Sequence, residues 1–314
     1  MSPESYLIVG GGTPMGEAIV KLLLYRGETH VSILDAEPLA DEQAAEFGER
    51  VRVFVPDSAS VQATSEALGS VTCVIYARTL STSAMSNILH PSASSAHHSS
   101  GLQMANERYA LHTIDGFRNS ISAIVEAAAR QVVYVGTAAT VFDGTERKLL
   151  READAPYPAK AWLAELEPAL QSERLILDSN GRNGLATTVI RPAAPNRHNI
   201  QYVTLDSERR RPMPHLSICD WSLADNTFVD NAAQAALLAA ERLVPTHAWH
   251  AATVGRAFFI SDDAPRPMSG LVRDILAAAA QPALPKSRSL GLGTMVLMLG
   301  GRDLLNKPRR RPSA

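Results

Sequence analysis

Apolar positions gather into runs of four or five residues, and most runs are followed by a stretch with helical spacing. Tyr6–Val9 is the first run, unbroken by a polar residue. A glycine-rich turn over 10–16 follows. Ile19, Leu22 and Leu23 then recur on one helix face up to Arg26, and Gly27 supplies the stop signal. Val31–Leu34 predicts a second strand closing on Asp35, 51–55 a third ending toward Asp57, and 73–77 a fourth. A helix is predicted over 116–129, a fifth strand over 132–135, and a sixth over 187–190, ended by Arg191-Pro192. Strands that are apolar on both faces and alternate with helices imply a parallel sheet covered on both sides. There is no internal repeat.

The turn between the first strand and first helix reads Gly10-Gly11-Gly12-Thr13-Pro14-Met15-Gly16. In that place backbone N–H groups approach a pyrophosphate, and the helix N-terminus adds favourable potential. Asp35 ends the second strand about 20 residues on, where a carboxylate accepts hydrogen bonds from an adenosine ribose. The pattern therefore predicts an α/β, Rossmann-type, doubly wound parallel sheet with a small C-terminal substrate lobe. Its cofactor residues are Gly10, Gly11, Gly12, Thr13, Met15, Gly16 and Asp35, with Asp57 and Ala77 at later strand ends. Asp35 favours NAD over NADP; its alternative is a solvated strand-end carboxylate. Two features weaken the site. Thr13 stands where the middle glycine of the turn belongs, unless Gly12 substitutes through a shifted turn, and Pro14 has no N–H to offer. NAD(P) binding is thus expected to be weakened, with no cofactor as the other outcome.

The chain has 314 residues, 46% of them hydrophobic, enough for a large α/β domain and a smaller lobe. The boundaries expected are 1–195 for the nucleotide-binding domain, with 222–245 returning to it, and 196–314 mainly for the substrate lobe and tail. The clearest proline- and arginine-rich stretch beyond Pro192 is 209–214. A net charge of −2 gives no electrostatic case for a nucleic-acid partner. Two cysteines, Cys73 and Cys219, make no disulfide framework, which fits a reducing, cytoplasmic compartment. The N-terminal apolar run is too short for a signal peptide. The apolar stretch 290–299 is too short to span a bilayer, which takes about 20 residues. It either lies on a membrane surface, helped by basic residues at 309–311, or forms a buried helix before a solvated tail. The Ser-, Ala- and His-rich segment 81–101 follows the fourth strand, where lids occur; a disordered insertion is the alternative. His90, His97 and His98 in it lack metal-ligand spacing, so no metal site is expected. A homodimer is an open possibility.

Five segments in order, YLIVGGGTPMG, VVYVGTAATVFDGTE, VIRPAA, NTFVDNAAQAALLAAERL and AFFISDDAPRP, carry a resemblance that extends over nearly the whole chain. It resembles the extended short-chain dehydrogenases, in the branch of 3β-hydroxysteroid dehydrogenases and sterol-4α-carboxylate 3-dehydrogenases. The resemblance implies a nicotinamide cofactor and a lipophilic polycyclic alcohol or ketone. It also implies a Ser or Thr after the fifth strand and Tyr-x-x-x-Lys on the next helix. The hydroxyl position falls on Thr137. Anchoring on Ser172-Glu173-Arg174-Leu175 puts the tyrosine at Glu165 and the lysine at Ala169; separately, a family asparagine before the helix 116–129 falls on Thr113. None of the seven tyrosines has a lysine four residues later. Tyr157 and Lys160 stand three apart, with Pro158 between them.

Candidates for proton transfer in place of the missing pair are Thr137, Glu165, Tyr157, Lys160, His112 and a histidine of 81–101. A buried Glu165 would have a raised pKa and act as an acid; an exposed helix glutamate and a turn threonine are the plain alternatives for Glu165 and Thr137. The expected function is a biosynthetic enzyme that isomerises, cyclises or rearranges a lipophilic polycyclic substrate of sterol, terpenoid or polyketide type, without redox. The alternatives are an NAD(P)-dependent dehydrogenase or ketoreductase with a rewired proton path, and a non-catalytic binding relative.

Overall fold

The structure is a computed structural model that describes residues 5–35, 37–55, 61–77, 114–127, 129–143, 150–162, 166–193, 195–196 and 223–267. Asp57, His112, Thr113, Glu165 and Cys219 lie outside the described residues, as do the segments 81–101, 209–214 and 290–299 and the basic residues at 309–311.

The strands, in chain order, are β1 (Tyr6–Val9), β2 (Val31–Leu34), β3 (Val51–Phe54), β4 (Cys73–Tyr76), β5 (Gln131–Val135), β6 (Ala186–Pro192), β7 (Pro195–Asn196), β8 (Leu223–Ala224), β9 (Thr227–Phe228), β10 (Arg256–Ile260) and β11 (Arg266–Pro267). The helices are α1 (Pro14–Tyr25), α2 (Asp41–Phe47), α3 (Val61–Leu68), α4 (Ile114–Glu126), α5 (Glu167–Asp178), α6 (Val229–Arg242) and α7 (His250–Thr253). Seven strands form one parallel sheet in the order β10-β6-β5-β4-β1-β2-β3. The chain divides into two compact units, Met1–Arg197 with Asn226–Asp262, and His198–Asp225 with Asp263–Ala314. The sheet belongs to the first unit. In the second, β8 and β11 pair antiparallel.

Side chains alternate across a strand, and that alternation sorts the core into two layers. Tyr6 and Ile8 of β1, with Ile33, Ile75 and Val133, meet α1 and α6 on one face of the sheet. Leu7 and Val9, with Leu34, Val74 and Val132, meet α3, α4 and α5 on the other. Burial on both faces explains why these strands read as apolar runs, interrupted in β2 by the half-buried Ser32. β6 runs past the expected end at Ile190, through Arg191 and Pro192. The reason is β10, an apolar run that the sequence reading did not assign as a strand: it lies alongside, with Phe259 opposite Arg191 and Ile260 opposite Pro192.

The buried face of α6 is nearly all alanine, with Ala232, Ala233, Ala236, Ala239 and Ala240 in the core. Small side chains set a short interaxial distance, so α6 lies close against α1, β5 and β6. No capping side chain precedes it. Asp262 does that work from a distance: Oδ2 accepts the Phe228 N–H at 2.7 Å and Oδ1 accepts Asn231 Nδ2 at 2.8 Å. Its charge also opposes the positive end of the helix dipole. Asp262→Ala is expected to cost about 1–2 kcal/mol, the worth of a strong cap. Urea melts of the two proteins check this; a change under about 0.3 kcal/mol would mean that solvent caps α6 equally well.

Candidate functional site

The chain moves from β1 to β2 and β3 on one side, then returns to β4 on the other side of β1. The carboxyl ends of β1 and β4 therefore flank the topological switch point, where open α/β sheets bind ligands. The glycine turn sits there. Gly10 has φ +83°, a conformation that disfavours a side chain. A Cβ on Gly16 would lie 2.1 Å from the Gly10 carbonyl oxygen, and one on Gly11 would lie 2.6 Å from Ile33. These glycines let helix α1 begin in direct contact with the turn.

Thr13 is the N-cap of α1, with extended backbone. Its Oγ1 accepts the Gly16 N–H at 3.1 Å, donates to the Gly10 carbonyl at 2.7 Å, and lies 3.3 Å from the Ala77 carbonyl. Gly12 is held on both sides. Its N–H donates to Asp35 Oδ2 at 2.9 Å, and its carbonyl accepts Gln43 Nε2 at 3.2 Å. Gln43 also donates to Glu17 Oε2 at 2.8 Å, and Lys21 lies 2.8 Å from both Glu17 and Glu46. The hydrogen bond to Glu17, then the one to Glu46, raises the Lys21 pKa. Gly10, Gly11, Gly12, Thr13, Gly16, Asp35 and Ala77 thus come together at one end of the sheet. Met15 contributes only its backbone, because its side chain is buried in the core. The Met15 N–H has no acceptor among the described residues, as expected of a first-turn amide. A carboxylate at the β2 end and a first-turn amide are what the ribose and phosphates of a dinucleotide require, so these residues fit that group.

Thr137 follows β5, buried, and caps the 3-10 turn Ala138–Val141 through its Oγ1, which accepts the Ala139 N–H at 3.3 Å. Lys160 is exposed. The Tyr157 hydroxyl is buried, with no hydrogen-bond partner among the described residues. Its ring covers the Arg191 guanidinium at 4.8 Å and that of Arg174 at 5.5 Å, and Arg174 in turn donates to the Pro158 carbonyl at 2.5 Å. Burial, and then the Glu173 carboxylate, push the Tyr157 phenol well above its ordinary pKa, although Arg191 acts the other way. This phenol stays protonated at neutral pH, the opposite of one activated as a base.

Beneath Tyr157 lies an ion pair that the sequence reading missed. Arg191 Nε donates to Glu173 Oε1, with the residues 2% and 0% exposed. The other carboxylate oxygen, Oε2, is buried without a partner among the described residues. Gly136 leaves room for the Tyr134 ring: a Cβ there would stand 3.1 Å from that ring, and at an ordinary contact distance of 3.7 Å from Glu173 Cδ. The signal was the arginine inside the apolar run VIRPAA, since a charge that enters a core requires a buried partner. Ala169, where the family lysine falls, is buried on α5 one turn before Glu173. Among the described residues, no group of three His, Cys, Asp or Glu is placed to hold a metal, and no helix is long and apolar enough to cross a membrane.

The parallel sheet, its switch point and the turn that fills it define a short-chain-dehydrogenase scaffold of Rossmann type. The chain belongs to the 3-beta hydroxysteroid dehydrogenase/isomerase family, whose model matches residues 7–283. It is 28% identical over 273 residues to a decarboxylating sterol-4-alpha-carboxylate 3-dehydrogenase from Mus musculus, covering 86% of this chain and 67% of that one. It is 27% identical over 271 residues to 3beta-hydroxysteroid-dehydrogenase/decarboxylase isoform 1 from Arabidopsis thaliana, covering 83% of this chain and 58% of that one. The chain therefore spans about two-thirds or less of the length of these curated relatives. In fold it is similar to a dTDP-glucose 4,6-dehydratase from Streptomyces venezuelae solved with NAD bound, with TM-score 0.67, 15% identity, and 94% of this chain and 90% of that one covered.

Proposed function

We propose that this protein is a biosynthetic enzyme that isomerises, cyclises or rearranges a lipophilic polycyclic substrate of sterol-like type without hydride transfer. One observation carries the reading. The helix face that holds the family's lysine presents a buried alanine, Ala169, and no Tyr-x-x-x-Lys exists elsewhere in the chain. Loss of a positioned acid or base costs about 100- to 10,000-fold in rate. Tyr157 is a poor substitute, because its hydroxyl is buried over the ion pair. Holding a substrate in its reactive conformation beside a positioned polar group lowers a barrier without hydride transfer, so a pocket kept for shape still supports a rearrangement. Thr137 is the nearest retained family hydroxyl and would orient a substrate oxygen.

A second reading, an NAD-dependent dehydrogenase, is favoured by the Gly12–Asp35 hydrogen bond and by the names of the relatives. In that reading Asp35 takes the adenosine ribose and the Met15 amide a phosphate, more weakly than in a full turn because Pro14 contributes no donor. A bound nicotinamide supplies a hydride acceptor.

The test is to incubate the purified protein with polycyclic 3-hydroxy and 3-oxo compounds, with and without NAD or NADP, and to follow products by mass spectrometry. The expected product has the mass of its substrate and forms without added nucleotide. Loss of two hydrogens, matched mole for mole by NADH, would replace the proposal with the second reading. No product under either condition would leave a non-catalytic binding protein.

A further inference from the structure

The Thr13 side chain bridges the crevice in which a dinucleotide would lie. Its Oγ1 is 2.7 Å from the Gly10 carbonyl on the β1 side and 3.3 Å from the Ala77 carbonyl on the β4 side. The same oxygen accepts the Gly16 N–H at 3.1 Å, an amide of the first helical turn that an anion would otherwise take. Other donors of the turn are committed as well. Gly12 N–H goes to Asp35 at 2.9 Å and Thr13 N–H to the Gly10 carbonyl at 3.1 Å. Pro14 has none, which leaves the Gly11 and Met15 amides without an acceptor among the described residues.

We infer that Thr13 is an internal gate on this seat: its hydroxyl stands in for the phosphate, and a nucleotide enters only by displacing it. The inference rests on the reading of the turn as a dinucleotide site and specifies what limits its affinity. An entering phosphate must break the cap on Gly16 and turn the Thr13 side chain out of the β1–β4 crevice. Glycine at this position removes both obstacles. It is also a serviceable N-cap, so helix α1 is retained. The backbone at Thr13, φ −73° and ψ 157°, suits any residue, so substitution there introduces no strain.

The experiment measures ADP-ribose and NAD binding by calorimetry for the wild-type chain, Thr13→Gly and Thr13→Ser, alongside thermal melts. ADP-ribose tests the seat without any contribution from the nicotinamide. Thr13→Gly is expected to bind about tenfold or more tightly than wild type, an effect of the size of a hydrogen bond regained with a charged group. Thr13→Ser keeps the hydroxyl and is expected to bind as weakly as wild type. Equal affinity for wild type and Thr13→Gly would overturn the gate and leave the dinucleotide reading standing. If no folded variant, Thr13→Gly included, binds either ligand, both the gate and that reading fail.

Discussion

Glu173→Met, or Arg191→Met, is expected to lower the stability of the protein by about 3–5 kcal/mol, the cost of leaving a buried charge without its partner. Arg191 is 2% exposed and lies between the rings of Tyr157 and Phe259, 4.8 and 5.5 Å from their centroids. Those rings contribute a cation–π attraction but cannot replace a carboxylate. Glu173 is on α5, Arg191 on β6 and Phe259 on β10, so the pair joins a helix to the outer strands of the sheet. The double variant Glu173→Met/Arg191→Met removes both charges and keeps most of the volume. It is expected to recover most of the loss, because apolar substitution of a whole buried pair is often neutral or better. Denaturant melts of the four proteins form a double-mutant cycle with a large coupling. Single variants that each lose under about 1 kcal/mol would mean that water reaches the pair and the burial argument is wrong.

That ion pair also marks the limit of what the sequence discloses. β1 and β4 are legible because burial on both faces leaves no polar residue to confuse the pattern, and α1 is legible because a glycine turn opens it and Gly27 closes it. The seat around Gly10, Gly16 and Asp35 could be placed because its parts are local: a turn, a helix start and a strand end within one unit of chain. Thr13 was readable as an intruder but not as a bridge, since its contact with Ala77 joins positions 64 residues apart. Glu173 and Arg191 are harder. Each carries a local signal, Glu173 at helical spacing from Ala169, Leu170 and Ile176 and Arg191 inside an apolar run, but only the packing of α5 on β6 makes them partners. β10 was missed although Ala257–Ile260 is an unbroken apolar run; its place at the edge of the sheet, with half-buried side chains, depends on its pairing with β6, whose partner residues lie 68 positions earlier in the chain.

Gly16→Ala is expected to lose about 3 kcal/mol, at the upper end of the cost of overpacking. An added Cβ would lie 2.1 Å from the Gly10 oxygen, 2.6 Å from Gly11 Cα and 2.9 Å from the Gly10 carbonyl carbon. All three are backbone atoms of the turn, and they cannot swing aside as a side chain does. Helix α1 must then move off the turn, disturbing its packing on α6 and β1. Against this stands a gain of about 1 kcal/mol, because alanine is the better helix former. The steric cost wins because the overlap is with fixed atoms. Two other glycines calibrate the argument. Gly11→Ala meets only the Ile33 side chain, at 2.6 Å, and should cost less as that side chain repacks. Gly27→Ala meets nothing within 4 Å, but its φ of +83° sets a backbone strain of about 1–2 kcal/mol. Guanidinium midpoints at constant m should therefore place Gly16→Ala lowest. If it instead melts with or above Gly27→Ala, the contact between the start of α1 and its turn is looser than these distances require. The seat would then have room for a side chain at a position where the dinucleotide fold depends on having none.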